Sequence, residues 1–564
     1  MKISNILLLY FILFIRCAVQ GPPGGGPQDS IPPEIVEVYP PANSTGIEPL
    51  TDIYLKFSEN MEHISVERSI FITPFPKEKL MFHWEGKKLY IIIKDRLLEG
   101  VTHVINVGTG AKDLRNNNIE NSYSWSFSTG DKIDTCEISG NIFGEKDVSE
   151  ILIWAFRIDE NKLINPSHHV PDYTTQSSKN GEFKFDYLSK GFYRLFALKD
   201  IDNNYKYNIE KDYIGIPCCD LKLSEKKEKI ENFFLFLSKE DTTAPYVVDI
   251  KAPDKNNIVI RFSEQIKRES IKNLSDFIIF TPDKTSSQVR IKGYNMDSRE
   301  KSVMNIFTSD QIEGIKYSLD LSGIEDLFGN RISKRKGLIS FIGSGHSDTT
   351  APEILYSSPK DSLNNLPPNT IIEIQFSEPI DTSSVEKGFS LKDTDENLVS
   401  GKIIWKDLSY FVFFPLNPFE EEKGYNLSFD SKIISDLNGN KITEDFNLYF
   451  EIGESLSFGS ISGEIRNKNI NKNEKIIAIL YDSQSMNEIL RKEISGTGKY
   501  FINHVKPGKY TIFAFVDSDR NGVFTSGRSF PFKPSERFTF VSEPVIIRPG
   551  WDNENIDIIF YDYE

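Results

Sequence analysis

Two short stretches of this 564-residue chain carry oxygen donors at the spacing a hard cation uses. The first reads Asp200-Ile201-Asp202-Asn203-Asn204, with Glu210 and Asp212 close behind. The second reads Asp517-Ser518-Asp519-Arg520-Asn521-Gly522. Ca²⁺ takes about six to eight oxygens, and donors at alternate positions with a glycine at the sharp turn can wrap them around it. Neither stretch is an EF-hand: the twelfth position is Lys211 in one and Arg528 in the other, where a bidentate Glu belongs. Glu210 or Asp212 can stand in for it in the first stretch, whereas the second has no acid between Asp519 and Glu536. The competing reading is a solvated turn, since Asp and Asn bond to their own backbone and tolerate left-handed conformations. With the twelfth ligand missing, the residues favour that turn in both. The candidate ligands are Asp200, Asp202, Asn204, Glu210 and Asp212, then Asp517, Asp519 and Asn521, and Ca²⁺ is the one cofactor they suggest.

Other reactive residue types carry less. No HExxH, GxSxG or P-loop occurs, and the chain is expected not to be an enzyme. Ser58, Ser263 and Ser377 each sit in a Phe-Ser-Glu triplet without nucleophile-elbow context, so strand-end turns are expected there. Their neighbours Glu59, Glu264 and Glu378 read as structural too, bonding to a nearby loop or packing at a module joint. His168-His169 is the one clustered pair among seven histidines, and adjacent side chains on a strand point to opposite faces. His103 aligns with Tyr317 and Tyr425, and Trp84 aligns with Tyr294 and Trp405; such recurrence argues for packing over an exposed glycan platform.

The elements that must position these residues are strands. Phe and Tyr number 41 and 23 and fall with Ile and Val in short alternating runs, the pattern of half-buried β-strands. A net charge of −16 without any Lys/Arg-rich run excludes a phosphate-binding surface, so no nucleic-acid partner is expected.

The N-terminus reads as an address. Lys2 precedes a short apolar core, Ile6 to Ile15, of signal-peptide length. Cys17 and a Gly/Pro tether, Gly21 to Asp29, follow at once. This arrangement resembles a bacterial lipoprotein signal, which implies lipidation of Cys17 and export to the outer membrane or cell surface on a membrane anchor, in either leaflet. Arg16 departs from the small residue usual before such a cysteine, and cleavage nearby with soluble secretion is the alternative. Of four cysteines, Cys136, Cys218 and Cys219 would then remain, enough for one bridge from Cys136 to Cys218 or Cys219 with one thiol left over.

Internal repeats set the architecture. One type opens Asp-x-x-x-Pro (Asp29–Pro33, Asp241–Pro245, Asp348–Pro352), passes through Phe-Ser-Glu, and closes on an Asp-Leu turn at Asp113, Asp326 or Asp436. The separations from Pro33 to Asp113, Pro245 to Asp326 and Pro352 to Asp436 are 80, 81 and 84 residues. Turns such as Gly329-Asn330 and Asn438-Gly439-Asn440 suit tight hairpins. These phrases resemble the bacterial Ig-like domain of S-layer-protein type. A second repeat begins Ile-Ser-Gly at Ile138 and Ile461 and aligns Gly181–Asp200 with Gly498–Asp517 without a gap. It is similar to prealbumin-like modules of the carboxypeptidase-regulatory type.

The expected fold is therefore all-β, a tandem string of five Ig-like and prealbumin-like β-sandwich modules. Its expected divisions are a signal peptide (1–16), the lipidated Cys and tether (17–30), Ig-like domains at 31–131, 241–346 and 347–454, and prealbumin-like domains at 132–240 and 455–564. The whole resembles Bacteroidetes-type Ig-like-domain lipoproteins. That resemblance implies a non-catalytic envelope spacer or binding scaffold, or else a surface adhesin or carbohydrate-binding protein with a loop-borne site, its partner an unidentified protein or glycan.

Overall fold

The computed structural model describes residues 30–73, 80–94, 96–158, 163–202, 204–271, 279–280, 289–297, 300–467, 470, 473–541 and 543–563. The signal peptide, Cys17 and the tether lie outside the described residues. The chain divides into two compact units. Unit 1 comprises 1–159, 170–195 and 222–231; unit 2 comprises 160–169, 196–221 and 232–564. Residues 132–240 thus contribute to both.

The three Ig-like copies share one plan. In the first, the strands Ile35–Tyr39, Ile53–Phe57, Lys88–Ile92 and Met81–Glu85 pair in that spatial order, and Ile70–Thr73, Thr102–Val107 and Tyr123–Ser128 form a second sheet. In the middle copy, Val247–Lys251, Asn257–Phe262, Val303–Thr308 and Ile291–Met296 repeat the first sheet; Ile279–Phe280, Lys316–Asp320 and Leu338–Ile342 repeat the second. The third copy has the same two sheets, the second widened by Leu363–Leu366, which pairs parallel to Phe446–Ile452. Alternation along each strand drives this. Ile53, Leu55 and Phe57 face inward against Ile72, Ile105, Trp125 and Phe127, while Tyr54 and Lys56 face out. The all-β string of sandwich modules is what forms.

The motifs that mark the repeat are its fasteners. Ser58 Oγ accepts the backbone N–H of Glu34 at 3.0 Å, Ser263 Oγ that of Tyr246 at 3.1 Å, and Ser377 Oγ that of Glu353 at 3.0 Å. At the closing turn, the backbone N–H groups of Asn117, Asn330 and Asn440 donate to Asp113, Asp326 and Asp436, each at 2.8 Å. Gly329 and Gly439 take φ +82° and +90° in that turn, and Asn116 takes +68° where the first copy lacks the glycine. His103, Tyr317 and Tyr425 are all buried, and each reaches a backbone group five residues upstream (Leu98, Ile312, Glu420). Trp84, Tyr294 and Trp405 pack against the cores of their modules, as their recurrence predicts.

The last module pairs Gly498–Val505, Gly459–Arg466 and Asp552–Asn553 in one sheet. The other contains Glu488–Ser495, Lys475–Asp482, Gly508–Val516 and Phe538–Phe540. Within unit 2 it meets residues far earlier in the chain. The Phe236 ring lies 5.9, 5.3 and 5.8 Å from those of Phe513, Phe524 and Phe538, and Tyr563 Oη donates to the Asn232 carbonyl. Glu240, in the junction Leu237-Ser238-Lys239-Glu240-Asp241, is buried, accepting from Tyr207 Oη at 2.8 Å and from the Ser529 N–H at 2.9 Å. This junction is a packed hub rather than a bare spacer.

The one bridge that the cysteine count allows is absent, and Cys136, Cys218 and Cys219 are all free thiols. Cys136 is a buried free thiol opposite Leu188 in its sheet, whereas Cys218 and Cys219 keep each other company.

Candidate metal centres

Four groups of three carboxylates stand together among the described residues, each with one oxygen per residue within 4.8 Å of the others. Two are the loops singled out from sequence. In the first, Asp200, Asp202 and Asp212 converge where the strand Gly191–Lys199 ends. Asp212 is fully buried; its Oδ1 accepts the Ile201 N–H at 3.0 Å and its Oδ2 the Asn208 N–H at 2.8 Å. Asp200 Oδ2 accepts from the Tyr205 N–H at 2.6 Å, while its buried Oδ1 receives no hydrogen bond. Burial raises the Asp200 carboxyl above its usual range, and the nearby Asp202 and Asp212 add to the rise. A buried carboxylate oxygen facing two more acids is short of positive charge, which is the kind of deficit a hard cation can make good. Asn204 instead accepts from the Lys206 N–H, and Glu210 is exposed and outside the group.

In the second loop the third acid is Glu536. Its Oε1 accepts the Ser518 N–H at 2.7 Å and its Oε2 the Thr525 N–H at 3.0 Å. These donors correspond to Ile201 and Asn208, one and eight positions beyond the first aspartate. Glu536 therefore does for Asp517 and Asp519 what Asp212 does for Asp200 and Asp202. Burial is the main cause that pushes Glu536 up to about 7, with Asp519 and Asp517 contributing. Asn521 Oδ1 accepts the Val523 N–H at 2.6 Å, so this amide closes the turn.

The other two groups were not anticipated. Asp241, Glu264 and Asp326 meet in the middle Ig-like copy, and Asp348, Glu378 and Asp436 in the third. Each combines the opening Asp, the Phe-Ser-Glu glutamate and the closing Asp, residues separated by more than 80 positions in sequence. Two of the three acids in each group are already occupied by turn bonds: Asp326 and Asp436 by their asparagines, Asp241 and Asp348 by Thr243 and Thr350. The glutamates carry the electrostatic load. Burial, then the flanking aspartates, pushes Glu264 up to about 7 and Glu378 up to about 9. Glu378 opens on a small crevice shared with Asp254, Asn256 and Lys292 of the preceding copy. The recurrence of the three motifs at constant spacing was the available signal; the strand pairing that joins them was not. In the first copy Asp29 lies outside the described residues.

Residues 29–129 and 348–452 match the bacterial Ig-like domain family. An outer cell wall protein of Brevibacillus brevis is 24% identical over 149 residues, which span 26% of this chain and only 14% of that protein. Among solved structures, the N-terminal part of the bacterial S-layer protein SbsC shares 12% identity, covering 37% of this chain and 44% of that one at a TM-score of 0.17. An L,D-transpeptidase from Mycobacterium smegmatis shares 11%, covering 26% and 76%, at 0.16. At these scores neither likeness bears on what the chain does. The middle copy has the sheet order of the matched copies, and the chain is thus a string of β-sandwich modules that includes bacterial Ig-like domains at residues 29–129 and 348–452.

Proposed function

We propose that this chain is a non-catalytic scaffold of the bacterial cell envelope, tethered through Cys17 and set in shape by Ca²⁺ at its module loops. Repeated Ig-like sandwiches and the similarity to an outer cell wall protein support the scaffold reading. The observation that carries the calcium reading is the buried, unbonded Asp200 Oδ1 between Asp202 and Asp212. The packing of Glu240 and Phe236 onto the last module supports a scaffold whose second unit is held together by contacts between modules.

Two experiments test this. Fractionation of envelope membranes should find the wild type membrane-bound and Cys17→Ser released; a variant that stayed bound would refute the anchor. Titration with Ca²⁺ should release heat and raise the melting temperature, and a flat response in both would remove the cation.

A second reading has its own observation. Trp551 is 61% exposed on a non-repeated turn, with the Arg548 guanidinium 5.3 Å from its ring. An exposed indole can stack on a sugar face, which supports the reading of a loop-borne glycan site at this turn. Binding on a glycan array that vanishes in Trp551→Ala would establish it.

A further inference from the structure

Cys218 and Cys219 form a two-residue thiol cluster unused by the scaffold reading. Their sulfurs lie 3.9 Å apart in a bend after the strand Tyr213–Gly215. The bend is held in place: the Ser535 N–H donates to the Pro217 carbonyl at 3.1 Å, just before the cysteines. Both cysteines are half-buried, and Cys218 lines a pocket of about 470 Å³. Lys533 and Arg537 bring positive charge to that pocket, and Glu474, outside the proposed Ca²⁺ group, brings negative charge. Such a lining suits a small zwitterionic molecule that carries both signs.

We propose that Cys218 and Cys219 are a reversible redox pair that takes a small zwitterionic disulfide into this pocket and reduces it, closing into a vicinal disulfide. In the first step the Cys218 thiolate attacks one sulfur of the incoming disulfide. That S–S bond breaks, a mixed disulfide forms, and one thiolate leaves. Cys219 then gives up its proton and attacks the Cys218 sulfur, expelling the second thiolate. The two cysteines are oxidised, the incoming disulfide is reduced to two thiols, and the two protons lost by the cysteines go to the two leaving thiolates.

The roles follow from position. Cys218 faces the pocket, and the neighbouring Cys219 thiol and the Arg537 charge both lower its pKa and favour the thiolate, so it is the attacking sulfur. Cys219 is pushed the other way by its neighbour and by burial, which suits the resolving thiol. Reversibility follows from adjacency. Neighbouring Cα atoms lie about 3.8 Å apart across a trans peptide, under the roughly 4.4–6.8 Å usual for a disulfide. The closed ring is strained and is therefore easily reduced again.

The test uses the full-length chain, reduced and then incubated with oxidised glutathione at graded ratios to the reduced form. Free thiols are trapped with an alkylating reagent and the peptide holding both cysteines is mapped by mass. The wild type should lose both alkylation sites on that peptide, retain no glutathione, and regain both sites in excess reduced glutathione. Cys219→Ser should instead accumulate glutathione on Cys218, and Cys218→Ser should stay alkylatable at Cys219. A second readout needs no substitution: phenylarsine oxide, which bridges adjacent thiols, should block the exchange. Persistent alkylation of both thiols in the wild type overturns the proposal. So does glutathione retained on Cys218 of the wild type, or exchange unaffected by the arsenical.

Discussion

Glu536 Oε1 accepts the backbone N–H of Ser518 at 2.7 Å, and this bond brings an acid from 17 residues beyond Asp519 back to the Asp517 loop. The loop gains a third carboxylate and a fixed shape together. If Ca²⁺ is the occupant, Glu536→Gln should remove the calcium-dependent rise in melting temperature that this loop contributes, leaving that of the Asp200 loop. Asp212→Asn should do the reverse. Differential scanning fluorimetry with Ca²⁺ and with a chelator separates the two, and equal responses in wild type and both variants would rule out metal at these loops.

The Phe236 ring sits among Phe513, Phe524 and Phe538. Removing it leaves a cavity in an aromatic seam, at a cost of about 2–4 kcal/mol, in the range of large-to-small core changes. Phe236→Ala should therefore speed amide hydrogen exchange in 513–540 without disturbing the Ig-like core around Trp125. Unchanged exchange in 513–540 would mean that the seam contributes little to holding the last module.

His103 is buried against Phe127, and burial holds its pKa below the usual value, offset in part by its bond to the Leu98 carbonyl. The folded state therefore binds this proton less readily than the unfolded chain does. Its contribution to stability is present above the unfolded pKa of about 6.5 and is lost as pH falls through that value toward the folded pKa. His103→Tyr, the residue type found at Tyr317 and Tyr425, should flatten the acid side of the first module's melting profile below about pH 6.5. An equally steep profile in the variant would count against it.

Ser58, Ser263 and Ser377 each accept the backbone N–H of the residue that follows the opening proline, just ahead of its strand. Each Ser→Ala change should cost about 0.5–1.5 kcal/mol. The sites lie in different modules, so the three costs should be independent of one another. Urea unfolding of single and combined variants measures this, and strongly non-additive losses would indicate a shared site instead.

Residue order by itself determined the strands, the modules and the fasteners. Alternation in Ile53–Phe57 decides which side chains face the core, and the closing Asp-to-Asn turns are bonds between residues four positions apart. Both are local, so type and spacing suffice. The Asp200 group was legible for the same reason, since its three acids lie within 13 residues. Tertiary structure alone decided the rest. Glu264 and Glu378 join their aspartates only because antiparallel pairing brings the opening segment, the Phe-Ser-Glu strand and the closing turn to one place. Glu536 reaches Ser518 only through the return of its loop, and Cys218 meets Arg537 only because the bend at Pro217 docks on Ser535. Such meetings depend on how strands twist and stack across a module, a collective property that no local pattern encodes.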